Sequence, residues 1–154
     1  MLKNKNGAFM PTKKELLTIK NAETFNELVS IGITILNRMN QPIAQVCGPI
    51  STGGTGSVKK NLDIFSDMIK LLNKKGINVF NQLPFERTFD KIMRNYKIIG
   101  YDSPILEEFY KPIFKSGKIK KIYLLPGWKK SVGTRWEYNF AKKLKIEIVE
   151  ISSE

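Results

Sequence analysis

Histidine is absent from the sequence, and cysteine occurs once, at Cys47. The first absence removes the commonest metal ligand and the commonest general base. Acid–base chemistry must then fall to carboxylates, tyrosines, lysines or the single thiol. One cysteine excludes an internal disulfide framework and suits a reducing compartment. No apolar run approaches the roughly 20 residues that cross a bilayer. The basic start, Met1-Leu-Lys-Asn-Lys-Asn6, is not followed by an apolar signal core and a small-residue cleavage site. A cytoplasmic protein that engages no membrane and binds no metal or other cofactor is the expectation.

The sequence has 154 residues, 42% of them apolar, which suits one domain with one sizeable core. Acidic residues are the scarcer charge: 14 against 26 basic ones, a net charge of +12. Such an excess attracts anions of many kinds without choosing among them. Nucleic acid is not the expected partner, because no nucleic-acid-binding motif and no basic stripe interleaved with aromatics can be read.

Residues 1–11 carry no periodicity. Thr12-Lys-Lys-Glu15 has the spacing of a capping box, and Phe25, Leu28, Val29, Leu36 and Met39 recur at helical spacing. This predicts a helical N-terminal extension over residues 1–41, in two pieces, ahead of a main domain over 42–154. Ile43-Ala-Gln-Val-Cys47 reads as a buried strand that stops at Gly48-Pro49. Val58, Leu62, Phe65, Ile69 and Leu72 mark one face of a long helix, with Gly76 as its stop. Ile77–Phe80, Ile119–Leu125 and Ile146–Ile151 are three further strands. Pro84 breaks any element near it, leaving a short helix around 86–96. Pro104–Lys115 is helical, with Pro112 expected to kink or end it, and Val132, Trp136, Phe140 and Leu144 define the last helix. Alternating strands and helices with near-continuous apolar strands predict an α/β fold of the flavodoxin/Rossmann-like class. Its parallel sheet has order 2-1-3-4, and helices cover both faces.

Ligands of such sheets bind beyond the carboxyl ends of the strands. Three segments lie there. Gly48–Ser57 offers close backbone approach and the hydroxyls of Ser51, Thr52, Thr55 and Ser57, but neither a Walker A loop nor a dinucleotide fingerprint. Asn81–Glu86 offers amides and Phe85, which could stack on a base or simply fill the core. Pro126–Glu137 ends a strand and opens a helix bearing Glu137, flanked four residues away by Gly133 and Ala141. The helix dipole there would keep a carboxylate ionised. Thr134-Arg-Trp-Glu137 can equally be read as a capping box in which Glu137 only bonds backbone amides.

Gly48-Pro49, Asn61 and Leu125-Pro-Gly-Trp-Lys-Lys-Ser-Val-Gly-Thr-Arg-Trp-Glu137 with Ala141 resemble the nucleoside 2-deoxyribosyltransferase-like superfamily. The closest likeness is to its branch with a PGW-x-x-S-x-G-x-x-x-E signature, over about residues 43–151. The resemblance implies a flavodoxin-like fold and a glutamate that attacks C1′ of a ribose or deoxyribose. Water or a second base then resolves the glycosyl-enzyme. It places Glu137 as that nucleophile, Ser131 at a 5′-phosphate beside Lys129 and Lys130, and Gly48 at the base pocket. Pro49, Ser51, Asn81, Phe85, Trp128 and Gly133 complete the candidate substrate contacts. The family's aspartate-bearing D-x-x-x-A-D stretch is replaced here by Lys118-Ile-Lys-Lys121, so Asp102 or Glu108 is the candidate acid, with Tyr101 or Tyr110 as a hydroxyl donor. The expected function is therefore cleavage or exchange of an N-glycosidic bond in a nucleoside or nucleotide, by a homodimer or larger homo-oligomer. Two alternatives stand beside it: a non-catalytic nucleotide-sensing domain, and a phosphoribohydrolase of the cytokinin-activating type, whose PGG-x-G-T-x-x-E motif is similar to Gly133-Thr-Arg-Trp-Glu137.

Overall fold

The computed structural model describes residues 10–50, 54–96 and 103–152. Ser51, Thr52, Tyr101 and Asp102 therefore lie outside the described residues. Thr12 begins helix α1 (Lys13–Asn21) with the expected capping box: its hydroxyl accepts from the Glu15 amide at 3.1 Å, and the Glu15 carboxylate accepts from the Thr12 amide at 2.8 Å. Thr24 caps α2 (Phe25–Arg38) in the same way, through the Glu27 amide. Glu15 also pairs with Arg38 at the far end of α2.

The strands β1 (Ile43–Cys47), β2 (Asn78–Val79), β3 (Ile119–Leu124) and β4 (Glu147–Glu150) form one parallel sheet of order β2-β1-β3-β4. This is the order read from the sequence. β2 is shorter than expected, although the Phe80 amide still reaches the Ala44 carbonyl at 2.8 Å. β3 carries one extra residue, Lys120, between the partners of Ile43 and Ala44. The insertion lets Ile119 and Ile122 face the same side of the sheet, where both join the main core.

Residues alternate across β1. Ile43 and Cys47 join the larger core, which α1, α2, α4 (Leu83–Met93), α5 (Ser103–Ile105), α6 (Lys111–Lys115) and α7 (Val132–Lys143) also build. Val46 faces the other way, into a smaller core with Val79, Leu125 and α3 (Val58–Lys74). The helical N-terminal segment shares the larger core with the sheet: Leu28 and Leu36 are fully buried beside it. Phenylalanines dominate that core, and burying each contributes about 1.5–3 kcal/mol relative to exposure. Phe25, Phe89, Phe109, Phe85 and Phe80 run as a chain of tilted or edge-on ring contacts between 5.1 and 5.8 Å.

Two prolines behave differently from the sequence reading. Pro84 does not break the chain but sits in the first turn of α4, where its missing N–H is an orphan in any case. The helix therefore begins at Leu83 rather than near 86. Pro112 does not end its helix. The turn before it widens to a π-helix over Leu106–Tyr110, where the Lys111 amide reaches back to Leu106, and α6 then continues. Leu106, Phe109, Tyr110, Ile113 and Phe114 keep one apolar face through this change. Among the described residues no helix is long and apolar enough to cross a membrane.

Candidate functional site

At the carboxyl end of β1 the chain turns at Gly48. A Cβ there would stand 2.7 Å from Leu125 Cδ1, so only glycine lets the ends of β1 and β3 come this close. A cleft of about 450 Å³ opens above this point. Its size lies within the roughly 300–1,000 Å³ of small-molecule sites. α4 contributes Glu86, Asp90 and Arg87, and α7 with its preceding turn contributes Ser131, Gly133 and Glu137.

Ser131 is the N-cap of α7. Its hydroxyl accepts from the Thr134 amide at 3.3 Å and from the Thr134 hydroxyl at 2.9 Å. The capping box read at Thr134 is therefore displaced by three residues. Thr134 lies inside the helix, buried, and Glu137 caps nothing. Instead the Glu137 side chain turns toward β1. The Gln45 amide donates to its Oε2 at 3.4 Å, and the Cys47 thiol lies 3.3 Å from the same oxygen.

Glu137 is also not held ionised by the helix dipole, as the sequence reading expected. Its carboxyl is pushed up to about 8: burial is the larger cause, the Cys47 thiol opposes it, and the negative charge of Glu86 adds to it. The dipole acts within the first turn, and Glu137 lies beyond it. Opposite, the Tyr110 hydroxyl donates to Glu86 Oε1 at 2.5 Å, a charge-assisted bond. The Tyr110 phenol is driven well above its ordinary value by burial and then by the charges of Glu86 and Glu137. Two carboxyl groups thus line one cleft, a buried one whose proton affinity is raised and one that accepts from a tyrosine.

The other residues singled out from the sequence divide. Gly48, Ser131 and Gly133 line the cleft with Glu137. Pro49 is buried beside Gly54 and borders a separate small cleft with Thr55 and Asn61. Asn81 caps the start of α4, its Oδ1 accepting from the Leu83 amide at 3.0 Å. Phe85 is wholly buried between Phe80 and Phe109 and is a core residue, with no face for a base. Trp128 packs in a tilted contact on Tyr138, with ring centroids 4.7 Å apart, and donates its indole N–H to Glu150. It lines a different cleft, together with Lys129 and Lys130. Those lysines are accordingly away from the Glu137 cleft. Glu108 is exposed and faces Tyr96, whose phenol burial and this carboxylate raise to about 12, and it does not line the Glu137 cleft. Asp102 lies outside the described residues.

Thr55 and Ser57, two of the hydroxyls expected to meet a ligand, are engaged within the loop. The Thr55 amide and hydroxyl both donate to Asn61 Oδ1, at 3.0 and 2.8 Å, while Asn61 Nδ2 donates to the Ile50 carbonyl. Ser57 caps α3. The residues missed by sequence reasoning are Glu86, Asp90 and Arg87 on α4, and Gln45 beneath Glu137. One signal was present: Gln45 is the polar residue of an otherwise apolar buried strand, and such a residue needs a partner.

Residues 45–150 match a family described as Domain of unknown function (DUF4406). The chain belongs to this family. Comparisons with curated proteins and with solved structures give no match.

Proposed function

We propose that this DUF4406 protein cleaves or exchanges the N-glycosidic bond of a nucleoside-type substrate, with Glu137 as the nucleophile. The observation that carries the reading is the Glu137 carboxyl itself. It is buried at the carboxyl end of the parallel sheet, aimed at β1 and lining a cleft of small-molecule size. It also occupies the position of the glutamate in the signature of the nucleoside 2-deoxyribosyltransferase-like superfamily. A buried carboxyl with two weak side-chain contacts is poor stabilisation for a static charge and suits a group that gains and loses one.

In this chemistry a Glu137 oxygen bonds to C1′ as the C1′–N bond breaks and the electron pair leaves with the base. Water or a second base then displaces Glu137. Gly133 leaves room for the sugar beside the helix, and Gln45 and Cys47 orient the attacking oxygen. The test is a screen of nucleosides and nucleoside 5′-monophosphates for released free base, run with the native protein and with Glu137→Gln. Base release by the native protein alone supports the reading. Equal release by a well-folded Glu137→Gln protein overturns it.

A second reading, a domain that binds such ligands without turning them over, is favoured by one observation. Glu108, one of the two candidate acids beside Asp102, does not line the described cleft. Binding without base release across the same screen would favour it.

A further inference from the structure

The chain carries a net charge of +12, yet the cleft described above is acidic. Besides the Glu137 carboxyl, its described ionisable lining residues are Glu86 and Asp90 against Arg87, and Arg87 also borders the neighbouring cleft between α1 and α4. A local inversion of charge within a basic protein selects ligands by sign, because field lines concentrate in a low-dielectric cleft. The proton inventory points the same way. Glu86 accepts a hydrogen bond from Tyr110, whereas burial, and after it the neighbouring Glu86, raise the proton affinity of Glu137. Gln45 can accept a hydrogen bond from a protonated Glu137 once its amide is turned. Its Oε1 is buried without a hydrogen-bond partner among the described residues, and its Nε2 lies 3.4 Å from Glu137 Oε2. A side-chain amide keeps its outline on a half-turn, and that turn would bring Oε1 to the protonated carboxyl.

A protonated carboxyl is no nucleophile. It must ionise when substrate arrives, and an uncharged ligand that displaces water would only raise the cost of doing so. A cation placed between Glu86 and Glu137 does the reverse. It also removes the need for a general acid, because the base of a cationic N-glycoside departs neutral.

We infer that the substrate of this cleft is an N-glycoside whose base carries a fixed positive charge, such as a ribosylated pyridinium, held between Glu86 and Glu137. The inference rests on the glycosidase reading for its chemistry. On binding, Glu137 gives its proton to solvent. A Glu137 oxygen then bonds to C1′, the C1′–N⁺ bond breaks, and its electron pair neutralises the ring nitrogen. Water attacks C1′ in turn, its proton passes to the Glu86 carboxylate, and Glu137 leaves as a carboxylate. The groups that face Glu137 are Cys47 and Gln45 from β1, Glu86 from α4 and Tyr110 from the π-helical turn.

The test uses the full chain and two probes of one outline: nicotinamide riboside, a permanent cation, and its uncharged dihydro form. Titration calorimetry at pH 7, in two buffers of different ionisation enthalpy, reads both affinity and protons released. The expected result is at least ten-fold tighter binding of the cation, with close to one proton released per site. Glu137→Gln should bind the cation without that release, and Glu86→Gln, which can still accept from Tyr110, should lose most of the preference for charge. Equal affinity for the two probes, or binding of the cation with no proton released, overturns the inference. Nicotinamide release, followed separately, decides the glycosidase reading. Proton-coupled binding without release leaves the ligand class standing and removes the reaction. Glu137-dependent cleavage of uncharged nucleosides, with no preference for the cation, does the opposite.

Discussion

The Cys47 thiol on β1 lies 3.3 Å from Oε2 of Glu137 on α7, and the bond between them is the main favourable contact of a buried carboxyl. A thiol is a weak donor. A carboxylate that accepts two or three backbone N–H bonds stays ionised even below the ordinary range, but Glu137 is past the turn of α7 whose amides are free. The strand and helix therefore bring a carboxyl into the interior and leave it poorly served as an anion. The stability and the pH response of the protein follow from that.

Glu137→Gln should stabilise the protein in alkali. The folded state raises this carboxyl from 4.5 to about 8, so it binds a proton more tightly than the unfolded chain does. The favourable contribution is fully present below about 4.5 and is lost as pH rises to about 8. The loss is on the order of a few kcal/mol, since each tenfold change in proton affinity is worth about 1.4 kcal/mol. Melting temperatures of the two proteins should lie close together at pH 5, and the variant should melt several degrees higher at pH 9. Curves that stay parallel across this range would show that Glu137 is not buried as an acid.

The pH profile of base release should report the same group. kcat/KM follows the free protein, so it should climb as Glu137 ionises and level off above about 8. Because the Cys47 contact lowers the Glu137 value, Cys47→Ala should move the midpoint to higher pH while keeping the shape of the curve. A midpoint unchanged by this substitution would mean that the thiol does not touch the charged form.

The sheet was legible because each strand is a short segment rich in isoleucine, valine or leucine, two of them closed by Gly48-Pro49 and Pro126-Gly127, and the long helices because their apolar residues recur on one face. The order of strands followed from right-handed crossovers. Glu137, Gly48, Ser131 and Gly133 were legible for a different reason: the cleft of a parallel sheet always lies at strand ends, where those residues fall. What was hidden lies on α4 and in the interior. Pro84 reads as a breaker until it is known to occupy a first turn, and with α4 displaced, the convergence of Glu86, Asp90 and Arg87 on the cleft could not be seen. Phe85 neighbours Glu86 in sequence but lies about 100° away around that helix, where it enters the core. Sequence spacing cannot separate such a pair before the axis of the helix is fixed.

Phe85 gives a direct check of that correction. Its ring touches Phe80 and Phe109 with no exposed surface. Phe85→Ala should cost about 3–5 kcal/mol by removing contacts and leaving a cavity. Phe85→Leu should recover much of this stability and bind ligand as the native protein does. A Leu variant as stable as the native protein but ten-fold weaker for ligand would instead return Phe85 to the site.

Gly54 should prove the least replaceable residue of the described part of the β1–α3 loop. Its φ is +62°, a conformation in which a side chain is strained by about 1 kcal/mol. An added Cβ would also stand 2.6 Å from Asn61 Oδ1 and 2.8 Å from Pro49 Cβ. Asn61 cannot simply withdraw, because that same Oδ1 accepts from the amide and the hydroxyl of Thr55 while Nδ2 holds the Ile50 carbonyl. Gly54→Ala should therefore lose both backbone comfort and part of this bracing, roughly 2–4 kcal/mol together. Asn61→Ala alone should cost about 1–3 kcal/mol for the groups it leaves unpaired. Once Asn61 is an alanine, the collision at Oδ1 is gone and the bracing is already lost. Gly54→Ala in that background should then cost clearly less than it does alone, a coupling of about 1 kcal/mol or more. Urea denaturation of the two single variants and the double variant measures it. Strict additivity would mean that Gly54 is required for its backbone angle and its approach to Pro49, and that the Asn61 brace is an independent feature of the loop.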